Sequence, residues 1–299
     1  MPTRRRITDA PDRQFADRPG TSGDDVMTGT ARADVFDLSA GGSDRVSGLG
    51  GTDFFLFGET FDASDHVDGG RGRDYLRLAG SYPDPIVMTR DMLVDVETIV
   101  LDGVPAAPNK ASYRLELVGD LFTSRADADL YVSANFDTVG SLVLDATRLT
   151  GARLQTHGMD GDDIILGAAA GNRINGNDGN DRIAGGTGDD VIEGDRGSDT
   201  LSGGGGHDVF RYTYSDSGVR TGTDTILDFG SGDRIDLEFL GQNFHLADGV
   251  DHVGAISIGY QRANDLTTVR ISVDDDPAPE LLIRLAGDHR GLTLADFIV

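Results

Sequence analysis

From residue 158 to residue 211 the chain repeats one nine-residue pattern of polar and apolar positions six times without an insertion. The eighth position is large and apolar in every unit: Ile165, Ile174, Ile183, Ile192, Leu201 and Phe210. The sixth holds Asp163, Asn172, Asp181, Asp190, Asp199 and Asp208. The first is always glycine (Gly158, Gly167, Gly176, Gly185, Gly194, Gly203), and the fourth is glycine except at Ala170. The triplet centred on each of these apolar residues predicts a short strand, whose alternation turns the central side chain inward and its two neighbours towards water. The glycines between strands predict tight loops in which backbone carbonyls can crowd together. A flexible Gly/Asp linker has no reason to keep an apolar residue at every ninth position.

A looser version of the pattern precedes this block. Asp25, Asp34, Asp44, Asp53, Asp65 and Asp74 are each followed within two residues by an apolar or aromatic residue, as in Asp34-Val35-Phe36 and Asp74-Tyr75-Leu76. Their spacing drifts from nine to ten and, between Asp53 and Asp65, to twelve. Each insertion is expected to fall in a loop and to put an ion site there at risk. Residues 81–157 lose the glycines and show alternating runs instead. Val96–Leu101, Tyr113–Val118, Leu130–Ser133, Ser141–Asp145 and Ala152–Gln155 are predicted strands. A short helix is conceivable at Thr89–Val96, and Pro83, Pro85, Pro105 and Pro108 are expected in loops. The expected layout is an arm over 1–19, a degenerate roll over 20–80, a metal-free β-solenoid stretch over 81–157, a regular roll over 158–211 and a cap over 212–299. A separate β-sandwich is the alternative for 81–157.

Charge gives the loops their chemistry. Asp and Glu number 51 against 26 Lys and Arg, for a formal charge of −25 over 299 residues. Such a balance argues against nucleic acid or anionic lipid as a partner, and no apolar run approaches membrane-spanning length, so stable membrane insertion is not expected. The chain has no cysteine, so it has neither disulfides nor thiolate metal sites. One carboxylate per glycine-rich loop is a hard oxygen donor among carbonyl oxygens, which suits Ca2+. The metal candidates are therefore the twelve sixth-position residues named above, with Gly158, Gly176, Gly185, Gly194 and Gly203 shaping the loops. Repelling carboxylates and the entropy lost on ordering glycines oppose folding without ions.

The nonapeptide G-G-x-G-x-D-x-U-x, with U apolar, resembles the calcium-binding repeat of RTX proteins. That resemblance implies an all-β fold, a right-handed parallel β-roll or β-solenoid with several bound Ca2+ ions and a β-rich C-terminal cap. With two units per turn, ions would lie between loops two units apart. The pairs are Asp163 with Asp181, Asp181 with Asp199, and Asp190 with Asp208. Asn172 with Asp190 would form a weaker site, because Asn172 is neutral. The stretch Asp224–Leu237 is similar to the segment that closes the roll in serralysin-type secreted proteases. By that resemblance Asp224, Asp228 and Asp233 are further candidate ligands. The ending Asp296-Phe-Ile-Val299 resembles an export signal read by type I secretion, and Met1–Arg18 has no apolar stretch behind its arginines. Together they imply a secreted or cell-surface protein whose partners are calcium and an ABC exporter. Deleting residues 296–299 is expected to block export without altering folding.

A serralysin-like chain raises the question of a protease half. There is no H-E-x-x-H, no G-x-S-x-G and no Walker loop in the sequence. The leading expectation is a calcium-binding protein with no catalytic site of its own. The alternatives are a surface adhesin or membrane-acting protein, with cell-surface glycan as a partner, and a β-solenoid polysaccharide lyase or epimerase. An enzyme of that kind would need basic groups gathered on one face, drawn from Arg90, Lys110, Arg114 and Arg125.

Overall fold

The computed structural model describes residues 16–102, 111–123, 128–134, 140–213, 222–240, 244–247, 254–273 and 281–299. Among them there is no α-helix, and no helix long and apolar enough to cross a membrane. The protein is an all-β parallel solenoid. One wall is a single twelve-stranded sheet in which every neighbouring pair is parallel. It starts at Ala16–Pro19, runs through Asp34–Asp37, Phe54–Phe57, Tyr75–Ala79, Thr98–Asp102, Ala128–Ala134 and Ala152–His157, and continues through the repeats to Arg234–Asp236 and Phe297–Ile298.

The opposite wall is split. Val26–Thr28, Arg45–Ser47, His66–Asp68 and Leu93–Val94 form a four-stranded parallel sheet. An eleven-stranded sheet then begins at Tyr82–Met88 and passes through Ala111–Asp120 and Gly140–Thr150 into the regular repeats. Register is fixed by burial, because a slip of one residue would turn the apolar rows outward. Leu115, Leu144, Ile165, Ile183, Leu201, Ile226 and Leu285 are consecutive register partners down this wall, all buried. Phe36, Phe55, Leu76, Ile99, Val132, Thr156, Ile174, Ile192, Phe210, Ile235 and Phe297 do the same on the twelve-stranded wall. The two rows meet as the core, reinforced at the N-terminal end by Phe36 stacked on Phe55 at 5.1 Å.

Several local expectations change. Residues 1–15 of the expected arm lie outside the described residues, but Ala16–Pro19 is a strand paired with Asp34–Asp37. Arg18 holds it there by pairing with Asp34 at 3.1 Å and lying over the Phe36 ring, so the first turn gains a covering strand. Thr89–Val96 makes one turn, with Met92 and Leu93 N–H both donating to the Thr89 carbonyl, before Leu93–Val94 pairs as a strand. Pro83 and Pro85 sit in the strand Tyr82–Met88 and not in loops. That strand is the outer edge of its sheet, where a missing N–H is tolerated. Pro105 and Pro108 lie outside the described residues.

The cap differs from the coil. Leu281–Ala286 pairs in parallel with Asp224–Ile226, then Leu266–Ile271 and Ala255–Gln261 follow as antiparallel strands and His245–Leu246 ends the sheet. The chain end closes the other wall: Leu237 N–H donates to the Ile298 carbonyl, and Phe297 is buried.

Candidate metal centre

The sixth-position residues are stacked in two rows along the solenoid. In each row, Oδ1 of one residue accepts a hydrogen bond from the backbone N–H of its counterpart one turn earlier. Asp163 N–H donates to Asp181 at 2.8 Å, Asp181 to Asp199 at 2.8 Å, and Asp199 to Asp224 at 3.0 Å. The second row runs Asn172 to Asp190, Asp190 to Asp208 at 3.0 Å, and Asp208 to Asp233 at 3.0 Å. The N-terminal half repeats the device: Asp25 to Asp44 to Asp65, and Asp34 to Asp53 to Asp74. The twelve sixth-position candidates thus fall into rows, and all but the half-buried Asp25 are buried.

The second carboxylate oxygen has a different task. Oδ2 of Asp163 accepts from Met159 N–H at 2.6 Å, that of Asp65 from Asp62 N–H, and that of Asp34 from Thr30 N–H. Among the described residues, however, the buried Oδ2 atoms of Asp44, Asp53, Asp181 and Asp190 accept no hydrogen bond. A buried acceptor without a donor costs roughly 1–3 kcal/mol, so each marks a place prepared for another positive group.

The glycines show what else surrounds those oxygens. A Cβ on Gly176 would collide with Asp181 Oδ2 and lie 2.9 Å from the Gly194 carbonyl oxygen. The same oxygen pair bounds Gly158 (Asp163 and Gly176) and Gly185 (Asp190 and Gly203). In the N-terminal half it bounds Gly29 (Asp34 and Gly48) and Gly48 (Asp53 and Gly69). Each cradle therefore brings a carboxylate oxygen of one loop against a carbonyl oxygen of the loop a turn away. Among the described residues, no three His, Cys, Asp or Glu side chains gather in one place. The donor set is a few hard oxygens, largely backbone, which fits Ca2+ better than a transition metal.

Burial and neighbouring charges set the protonation of the row carboxylates. Burial, then the neighbouring Asp163 and Asp199 charges, push Asp181 up to about 9. Burial pushes Asp163 and Asp190 up to about 7 and Asp53 up to about 6, and it raises Asp44, Asp65 and Asp208 as well. Asp34 is the exception: burial raises it, but hydrogen bonds from Thr30 and Arg18 outweigh burial and leave it lowered.

The cap residues divide. Asp224 and Asp233 continue the two rows, and Gly230 N–H also donates to Asp233 Oδ2 at 2.8 Å. Asp228 is outside both rows. It is exposed and accepts from Ser202 Oγ, Gly203 N–H and Gly204 N–H, so it ties the cap to a repeat loop. The sequence reading missed Glu97. Its Oε2 accepts from Asp74 N–H at 2.7 Å and so extends that row by one turn, while the Asp95 carbonyl and Asp74 Oδ2 bound Gly69. The signal was a carboxylate two residues before buried Ile99, in a stretch without glycines. Of the basic residues weighed for a glycan cleft, Lys110 and Arg125 lie outside the described residues.

Comparison with known proteins places two families on this geometry. Residues 133–299 match the peptidase M10 serralysin C-terminal family, and residues 19–55 and 59–76 match the RTX calcium-binding nonapeptide repeat. No curated protein matches the chain. Among solved structures, the AlgE6R3 subunit of the Azotobacter vinelandii mannuronan C5-epimerase is 30% identical, covering 46% of this chain and 78% of its own, with a TM-score of 0.38. The AlgE6R2 subunit of the same epimerase is 29% identical, covering 47% of this chain and 89% of its own, with a TM-score of 0.39. At those TM-scores neither likeness bears on function.

Proposed function

The chain belongs to the peptidase M10 serralysin C-terminal family and is a calcium-binding RTX-type protein; from that premise we propose that it is secreted, folds on calcium after export and has no catalytic centre of its own. The observation that carries the reading is the set of buried Oδ2 atoms that face carbonyl oxygens and accept nothing from the protein. Asp53, Asp181 and Asp190, with the carbonyls of Gly69, Gly194 and Gly203, would hold the ions, and Asp163 with Gly176 and Asp34 with Gly48 offer the same oxygen pair although their Oδ2 atoms also accept from Met159 and Thr30 N–H. Bound calcium supplies the positive charge that lets stacked carboxylates stay ionised and buried. Binding free energy then becomes folding free energy.

Export follows from the same chemistry. A type I exporter passes an unfolded chain, and extracellular calcium modules typically bind with Kd of about 10⁻⁴–10⁻³ M. Below that concentration the carboxylates repel one another, and above it they become ligands. Folding at the exit then opposes return.

Far-UV circular dichroism on the full chain tests the reading. In chelator the repeats should be largely disordered, and millimolar calcium should generate β signal. Magnesium should do little, because it demands a small octahedral shell and dehydrates reluctantly. A chain equally β-rich and heat-stable in chelator would refute it.

Attachment to a surface glycan is the second reading. One observation favours it: the outward row of the twelve-stranded sheet carries Phe54 stacked on Tyr75 at 4.9 Å, and the Arg73 guanidinium lies 4.8 Å over the Tyr131 ring. Calcium-dependent binding to whole cells that is lost in Tyr75→Ala and Tyr131→Ala would support it.

A further inference from the structure

The unit 167–175 is the only one of the six regular units that contains no carboxylate: it reads Gly-Ala-Ala-Ala-Gly-Asn-Arg-Ile-Asn. Counting charge alone makes its loop a weakened ion site. The side-chain geometry of Asn172 makes it something else.

In the neighbouring Asp163, the two carboxylate oxygens divide two backbone donors: Leu142 N–H goes to Oδ1 and Met159 N–H to Oδ2. In Asn172 the single Oδ1 takes both equivalents, Leu154 N–H at 3.1 Å and Ala168 N–H at 3.3 Å. That leaves Nδ2 where Asp163 has its second oxygen. Around Gly167 the cradle is bounded by the Gly185 carbonyl oxygen and Asn172 Nδ2, where the other cradles have a carbonyl and a carboxylate oxygen. Nδ2 lies 2.9 Å from the Gly185 carbonyl, 3.0 Å from the Ala168 carbonyl and 2.8 Å from Asp190 Oδ1. A primary amide nitrogen has two N–H donors and no acceptor, so it meets these three oxygens as a cation would. It adds no charge and needs no ion.

We infer that Asn172 fills its own cradle with its side-chain amide, so that this rung of the solenoid closes without metal while the cradles of Asp163, Asp181 and Asp190 take calcium. The inference rests on the calcium reading of those neighbours. Asp190 serves both arrangements: its Oδ1 accepts from Asn172, and its Oδ2 remains in the cradle bounded by Gly185 and Gly203. The position of the rung gives it a use. Asn172 accepts from Leu154 in the strand Ala152–His157, so the metal-independent rung joins the middle turns to the repeats on the twelve-stranded wall, as Asp163 does on the other wall through Leu142 N–H. A carboxylate here would instead set a second negative charge against Asp190 at every calcium concentration too low to fill the site.

The test is a count. Full-length parent and Asn172→Asp are brought to saturating calcium, and bound ions are counted by native mass spectrometry and by equilibrium dialysis with radioactive calcium. The expected result is one more ion per chain in Asn172→Asp than in the parent. Equal counts, with the parent binding several ions, would overturn the inference and leave the calcium reading standing. A parent that binds no calcium would overturn both. If Asn172→Asp does not fold, the parent decides. The Asn172 side-chain amide protons, followed by NMR, should stay protected from exchange and keep their shifts through a calcium titration of the folded chain. Loss of that protection as calcium saturates would show that an ion displaces the amide, and would overturn the inference.

Discussion

Asp181 shows how one residue type can oppose folding in one medium and drive it in another. Its Oδ1 organises the turn before it, through Asp163 N–H, while its Oδ2 is buried beside the Gly194 carbonyl. Asp181→Ala should remove both functions and raise the calcium needed for half folding. The lost charged hydrogen bond alone is worth about 1.5–3 kcal/mol. Gly176→Ala should do similar harm with every carboxylate retained, because the new methyl would occupy the space between those two oxygens. A calcium titration followed by circular dichroism checks both, and a midpoint equal to that of the parent in either variant would count against the cradle. The pH dependence has a definite sign. Folded values of about 6 to about 9 at Asp53, Asp163, Asp190 and Asp181 exceed the ordinary aspartate value of 3.8, so the metal-free folded chain binds more protons than the unfolded chain. Metal-free stability from these groups is therefore complete below about pH 4 and is lost as pH rises towards about 9. Calcium needs the ionised form, so its binding midpoint should fall between pH 6 and pH 8. Equilibrium dialysis at the two pH values measures this directly. At this scale the sequence was most legible: the sixth-position carboxylates were readable because their spacing is periodic. The amide orientation of Asn172 was not, since composition does not say which side-chain atom faces the cradle.

Strands and loops show where periodicity stops informing. Glu97 does the work of a repeat aspartate, but no glycine-rich loop precedes it, so a pattern built on glycine passed it over. Glu97→Ala should weaken the row at Asp74 and lower thermal stability by an amount consistent with one charged hydrogen bond, about 1.5–3 kcal/mol. Glu97→Gln keeps an acceptor for Asp74 N–H and should recover much of that loss, as read by thermal melts in calcium. Equal losses in the two variants would assign the effect to packing. The strand Tyr82–Met88 was hidden by its two prolines, which only an edge position accommodates. The tail is the clearest revision at this scale. Phe297–Ile298 completes the twelve-stranded wall, with Phe297, the register partner of Ile235, buried as the last member of the core row. Removing residues 296–299 should therefore destabilise the fold as well as stop export. Phe297→Ala alone should cost about 3 kcal/mol, the low end for a buried Phe, because the site lies at the end of the sheet. Unchanged melting of the truncated chain would contradict this.

Across the whole molecule, one sheet runs unbroken from Ala16 to Ile298, and the middle turns share it with both groups of repeats. Burial is continuous along the solenoid. What changes is how successive turns are tied together: by carboxylate rows with cradles towards both ends, and by longer alternating strands between them. The parallel fold was legible because the alternation and the nine-residue period each specify an inward face. The antiparallel cap strands were not, since Ala255–Gln261 and Leu266–Ile271 carry no repeat and pair with each other and with other cap strands, Leu281–Ala286 and His245–Leu246. A solenoid held by ions at its loops should lose order there first when calcium is withdrawn, while the middle strands persist longer. Backbone hydrogen exchange at the row amides tests that claim most directly. The N–H groups of Asp163, Asp181, Asp190 and Asp199 each donate to a carboxylate one turn on. In calcium they should be protected, and in chelator they should exchange at close to unfolded rates while the amides of Ala111–Asp120 keep more protection. Equal protection of the row amides with and without calcium would contradict the account.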